Sequence, residues 1–154
     1  MHTATSIFIR APRERIFEMV SDLSRWPLLL PHYRFVKTLK EESPQTGSRQ
    51  IVRMAATRDG IPISWVSAYE ADRDLLQLRF EHLRAWTRGM KVVWTLEPEA
   101  DGTKVEILHD LNFRIPWLAW VAEPVLGTFF IENIANKTLR TFKRLLETPA
   151  SASA

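Results

Sequence analysis

His109 is the residue whose type and setting are best suited to moving a proton. From Thr103 to Phe113 the chain alternates, with Val105, Ile107, His109, Leu111 and Phe113 on one face and Lys104, Glu106, Leu108, Asp110 and Asn112 on the other. An imidazole on the apolar face of a strand is either a buried neutral ring hydrogen-bonded to a neighbour or a working group. With an unperturbed pKa of about 6.5, it could donate to a ligand carbonyl or take a proton from an acidic carbon. His82 shares a face with Leu76, Leu78 and Phe80 but lies nearer a strand end, which suits the rim of a site. Metal chemistry is not expected, because His2, His32, His82 and His109 have no ligand-like spacing and the chain has no cysteine. No cofactor is expected either.

The elements that would carry these residues follow from periodicity. Thr3 to Arg10 reads as a strand, and Pro12 to Ser21 as an amphipathic helix opened by proline, with Ile16, Phe17, Met19 and Val20 on its apolar side. Ser24 caps a second short helix, Arg25 to Leu30, bounded by Pro27 and Pro31. Six period-two segments come next: Tyr33 to Lys40, Ser48 to Thr57, Ile61 to Ala71, Leu75 to Leu83, Gly89 to Glu97 and Thr103 to Phe113. Asp59-Gly60 and Asp101-Gly102 read as two-residue hairpin turns and Ala71 to Asp74 as a polar turn, so the sheet should be antiparallel. Pro124 to Leu146 reads as a long amphipathic helix with a stripe of Ile131, Ile134, Thr138, Phe142 and Leu145, and the small polar segment 149–154 as a disordered tail.

One helix of that length needs a sheet to lie against, and the sheet has little else to cover it. A cavity between them would be lined by Ile61, Ile63, Trp65, Ser67 and Tyr69 from one strand and Phe80 and His82 from the next. Met90, Val92, Trp94 and Leu96 would follow, then Ile107, His109 and Leu111, with Phe130 and Ile134 from the helix. Mostly apolar walls with a few polar groups are what a small-molecule pocket needs. Arg53 falls with Ile51 and Ala55 and would either supply a cation to the cavity or lie at the surface.

At 154 residues the chain fits one domain, residues 1–148, with 45% hydrophobic and 25% charged residues as in ordinary soluble proteins. The net charge of +3 and pI of about 9.5 come from scattered cations interleaved with acids, as in Arg13-Glu14-Arg15, which argues against a nucleic-acid partner. Without cysteines, a signal peptide or an uninterrupted spanning segment, the expected setting is the cytoplasm. Ile115 to Val125 is rich in tryptophan and interrupted by Pro116 and Pro124. It would be core filling, an apolar lid, a membrane-contacting patch or a contact in a weak homodimer of an otherwise monomeric protein.

The segment IFIRAPRERIFEMVSDLSRWPLLLPHYRFVKTL from Ile7 to Leu39, SWVS at Ser64 to Ser67, and the closing FIENIANKTLRTFKRLLE resemble the polyketide cyclase/dehydrase family of the START and Bet v 1-like (SRPBCC) superfamily. The resemblance implies an α+β helix-grip fold: a seven-stranded curved antiparallel sheet around a long C-terminal helix, with two short helices after the first strand. It implies a cavity tyrosine at Tyr33 and a cavity serine at Ser67. The better-known aromatase/cyclases carry an arginine where this chain has Tyr69, and a phenol supplies one hydrogen bond in place of a charged fork. Three functions stay open: an aromatase/cyclase using His109, Tyr69 and Tyr33 on a polycyclic or polyketide-like substrate, a carrier of a lipid or quinone, and a regulatory module.

Overall fold

A computed structural model describes residues 1–42, 49–84, 87–112, 120 and 130–148. Its strands are β1 (His2–Ile9), β2 (Tyr33–Glu42), β3 (Arg49–Arg58), β4 (Ile61–Asp72), β5 (Gln77–His82), β6 (Lys91–Glu99) and β7 (Gly102–Asp110). They form one antiparallel sheet in the order β1-β7-β6-β5-β4-β3-β2. Between β1 and β2 run α1 (Arg13–Ser21), a 3-10 turn (Leu23–Arg25) and α2 (Trp26–Leu29), and α3 (Asn133–Glu147) follows a π-helical turn at 130–132. The element order is the one expected from periodicity, and the architecture is the helix-grip fold that the family resemblance implies.

Parity and capping account for most of the elements. Ile16, Phe17 and Val20 are the buried face of α1, and Asp22 accepts the Ser24 backbone N–H to start the 3-10 turn. On α3 the buried set is Ile134, Ala135, Thr138, Leu139, Phe142 and Leu146, so the apolar stripe is broader than its sequence outline and Ile131 and Leu145 lie at its half-buried edges. The C-terminal end of α3 is fastened to β1. Lys143 Nζ donates to the Phe8 carbonyl at 2.6 Å and to Glu147 at 2.8 Å, and Glu147 accepts the Arg10 backbone N–H at 2.8 Å.

Several boundaries differ from the sequence expectation, and the cap expected at Ser24 is supplied by Asp22 to the 3-10 turn, α2 itself having no side-chain cap. The strand expected at Leu75 begins at Gln77, because the Asp72 carboxylate accepts the N–H groups of Asp74 and Leu75 and Leu76 takes a left-handed conformation (φ 53°). Gly89 belongs to the turn before β6 (φ 88°). The β6–β7 turn is Ala100-Asp101 rather than Asp101-Gly102: Glu99 pairs with Gly102, and Ala100 carries the positive φ of 49°. Gly102 instead serves close packing, since a Cβ there would overlap the Ile9 carbonyl oxygen. Residues 124–129 of the expected long helix, Ser48, Phe113 and the tail lie outside the described residues. So does most of 115–125, of which Trp120 is exposed.

Trp26 is the hub of the core. Its ring meets Tyr33 at 5.1 Å, Trp94 at 5.7 Å, Phe142 at 5.9 Å and Phe80 at 6.3 Å between centroids, and its Nε1–H donates to the Val20 carbonyl at 3.0 Å. It thereby joins the helix pair, the sheet and α3. Among the described residues no helix is long and apolar enough to cross a membrane.

Candidate functional site

The grip does not close completely. Between the concave face of the sheet and α3 lies a cavity of about 350 Å³. Tyr33, Trp65, Phe80, His82, Trp94, Ile107, His109, Phe130 and Ile134 all line it. The period-two pleat puts them there, since alternate residues of neighbouring strands share a face: Tyr69 sits opposite Phe80, Phe80 opposite Val92 and Val92 opposite His109.

Five residues expected on the cavity wall lie elsewhere: Ile61, which is exposed, Leu96, which is buried off the wall, and the three site candidates Tyr69, Ser67 and Leu111. Tyr69 packs its ring on Phe80, 4.7 Å between centroids, and its hydroxyl donates to the Ser21 carbonyl at 2.7 Å, so the phenol fastens β4 to the end of α1 and stays off the cavity wall. Ser67, opposite His82, is fully buried, with an Oγ that has no hydrogen-bond partner. Leu111 is buried beyond the end of β7, where its N–H donates to the Met1 carbonyl. Arg53 is exposed on the outer surface, with its guanidinium over the Phe35 ring.

The structure adds lining residues that periodicity did not single out as cavity residues, among them Trp26, Met54, Thr87 and Thr138. Thr138 was visible only as one member of a helical stripe. It accepts from or donates to His32 Nε2 across 2.8 Å, a contact spanning 106 positions that no local pattern announces. The polar lining groups are Tyr33, Ser64, His82, Thr87, His109 and Thr138, and no Asp, Glu, Lys or Arg is among the described lining residues. Nor do the described residues hold any cluster of His, Asp and Glu able to bind a metal ion.

Burial sets the charge state of this site. Desolvation lowers His109 to about 4, and its Nδ1 is buried without a partner. Desolvation, and then repulsion from a charge on His109, lowers His82 to about 3. The His82 ring stacks on Trp65, 5.9 Å apart and 4° from parallel, and its Nδ1 lies 2.7 Å from Thr87 Oγ1. His32 falls to about 4 through burial and the nearby Lys137 charge, against a backbone hydrogen bond to Ile134 that pulls it up. Burial raises Tyr33 and Tyr69, so both phenols stay protonated.

Acid lability follows. The folded state keeps these three histidines neutral while the unfolded chain protonates them below about 6.5, so their contribution to stability is fully present above that pH and is lost as pH falls toward about 4. The unfolding free energy should therefore drop from about pH 7 to pH 5, at most by roughly 1.4 kcal/mol per pH unit for each group titrating only in the unfolded chain, and the thermal midpoint should fall with it. A midpoint flat over that interval contradicts the buried-neutral assignment.

At neutral pH the wall thus offers aromatic faces, neutral imidazoles and hydroxyls, which suits a flat, apolar molecule with a few oxygen atoms. The solved structure of TTHA0849 from Thermus thermophilus matches over 100% of both chains with a TM-score of 0.78 at 19% identity. The Zhui aromatase/cyclase from Streptomyces sp. R1128 matches over 96% of this chain and 93% of its own with a TM-score of 0.75 at 18% identity. These similarities establish the fold. By sequence, a Streptomyces cyaneus protein assigned as a polyketide cyclase is 33% identical over 114 residues, 73% of this chain and 74% of its own. The granaticin bifunctional cyclase/dehydratase of Streptomyces virginiae is 29% identical over 136 residues, 84% of this chain but 43% of that longer protein. With residues 9–138 matching the family model described as polyketide cyclase / dehydrase and lipid transport, this chain belongs to that family.

Proposed function

We propose that the cavity binds a hydrophobic, polycyclic or polyketide-like small molecule and that His109 moves protons during its cyclisation or aromatisation. The observation that carries this reading is a neutral imidazole on the wall of a cavity otherwise built mainly from aromatic and aliphatic side chains. A ring near pKa 4 is a weak base while the cavity is empty of charge. An enolate forming beside it in a poorly solvated space would raise that pKa, because imidazolium and enolate then stabilise each other. Holding a flexible carbonyl-rich chain in a reactive fold would supply the rest of the rate gain.

A specific observation favours a second reading, a non-catalytic lipid or quinone carrier. The position where aromatase/cyclases hold an arginine is Tyr69, whose hydroxyl is committed to Ser21, and no cationic side chain is among the described lining residues. Native mass spectrometry of protein from its own host tests both. An oxygenated polycyclic aromatic is the expected co-purifying mass, a fatty acid or isoprenoid would move the assignment to carriage, and failure of both aromatic and fatty-acid probes to bind would remove both.

A further inference from the structure

The two ring nitrogens of His109 sit in different settings. Nδ1 is sealed from solvent and has no hydrogen-bond partner, while the ring as a whole borders the cavity. A ligand in the cavity therefore meets Nε2. The near neighbours of His109 on the inward face offer Nδ1 little: Ile107 and Leu111 stand two residues away along the chain, and Val92 lies opposite on β6. On its other side β7 pairs with β1, where the residue opposite His109 is Thr3.

Thr3 Oγ1 is itself buried without a partner. Buried polar atoms are rarely left unpaired, and these two belong to residues directly opposed on one face of an antiparallel ladder, where Cβ atoms stand about 5 Å apart. Oγ1 lies one bond beyond its Cβ and Nδ1 two bonds beyond its own, so side-chain rotation alone closes the gap to the about 2.9 Å of a hydrogen bond. The backbone of Thr3 is held in place, because the ladder continues past it and the Leu111 N–H donates to the Met1 carbonyl at 2.8 Å. Thr3 is not among the residues lining the cavity, so any effect it has on a ligand passes through His109.

The direction of the bond follows from the work assigned to Nε2. To take a proton Nε2 must be bare, which puts the hydrogen of the neutral ring on Nδ1, and in the imidazolium Nδ1 carries its hydrogen still. In both states the sealed nitrogen is a donor, and a hydroxyl oxygen can accept from it.

We infer that Thr3 is a positioning residue whose hydroxyl accepts Nδ1–H, holds His109 in the tautomer that turns a bare Nε2 to the cavity, and stabilises the imidazolium formed there. The inference rests on the reading that His109 takes a proton from the ligand. Without the hydroxyl, a buried Nδ1–H has nowhere to donate, and the ring hydrogen moves to Nε2, where a ligand oxygen can accept it.

Two-bond proton–nitrogen NMR spectra of the labelled protein at about pH 7 read the tautomer with no ligand present, and the His109 signals are those lost in His109→Gln. Wild type should carry the hydrogen on Nδ1. Thr3→Val keeps the side-chain shape and should move the hydrogen to Nε2, lowering turnover of an enolisable, carbonyl-rich substrate about 10-fold with KM changed less than about twofold, and Thr3→Ser should restore both. A purely structural role for Thr3 would change stability in the valine variant and leave the tautomer as it was. If Thr3→Val does not fold, Thr3→Ala serves in its place. Hydrogen on Nε2 in wild type, or a valine variant that keeps the wild-type tautomer, overturns the inference. A tautomer that switches as expected in a protein that turns over no such substrate supports the Thr3 assignment and removes the proton-transfer reading of His109.

Discussion

Replacing His109 by glutamine is expected to lower turnover of an enolisable, carbonyl-rich substrate by about 100-fold while changing its affinity by less than about twofold. Glutamine keeps similar bulk and a hydrogen-bonding end but cannot accept and return a proton. His109 is the better placed of the two imidazoles on the wall to do so. His82 is stacked on Trp65 and held at Nδ1 by Thr87, whereas the His109 Nδ1 has no partner and its ring borders the cavity. Single-turnover kinetics beside equilibrium binding would separate the two effects. If the chain is a carrier, the same change leaves ligand transfer untouched, and His109→Leu tightens binding of a purely apolar guest by removing a half-buried imidazole whose Nδ1 is buried and unpaired. Unchanged turnover in His109→Gln would exclude the proton-transfer role.

The largest effect on stability is expected from Trp26→Ala. Trp26 is 2% exposed and touches four aromatic rings drawn from β2, β5, β6 and α3, so no single neighbour can move in to fill the space it leaves. The loss should be about 3 to 5 kcal/mol, read by urea unfolding, and the thermal midpoint should fall by about 10 °C for a chain of this size. Trp26→Phe should cost markedly less, since it preserves an aromatic contact while losing the hydrogen bond to Val20. A loss under about 1 kcal/mol for the alanine variant would mean that the grip is held elsewhere, at the Lys143 and Glu147 fastening of α3 to β1. Because Trp26 also lines the cavity, ligand affinity should fall along with stability.

The sequence by itself determined the element order and which face of each strand turns inward, because both are local. Apolar residues at spacings of two or of three and four can bury one side only in the matching secondary structure, and a one-residue slip would expose the whole set. That is why Trp65, Phe80, Trp94, Ile107 and His109 are found lining the cavity where strand parity put them. Parity does not say how far along a strand the cavity extends. Ser67 and Leu111 have the inward parity and are buried, yet lie beyond the open space. Nor does it say where a long side chain finds its partner: Tyr69 reaches Ser21, 48 positions away in the chain. Nor does a local turn signal say which role a glycine plays: the hairpin turn is Ala100-Asp101, and Gly102 is where only glycine fits against Ile9 on β1. The charge states of the histidines and the His32–Thr138 link depend on desolvation and on contacts across more than 100 positions, and only the closed tertiary structure creates either.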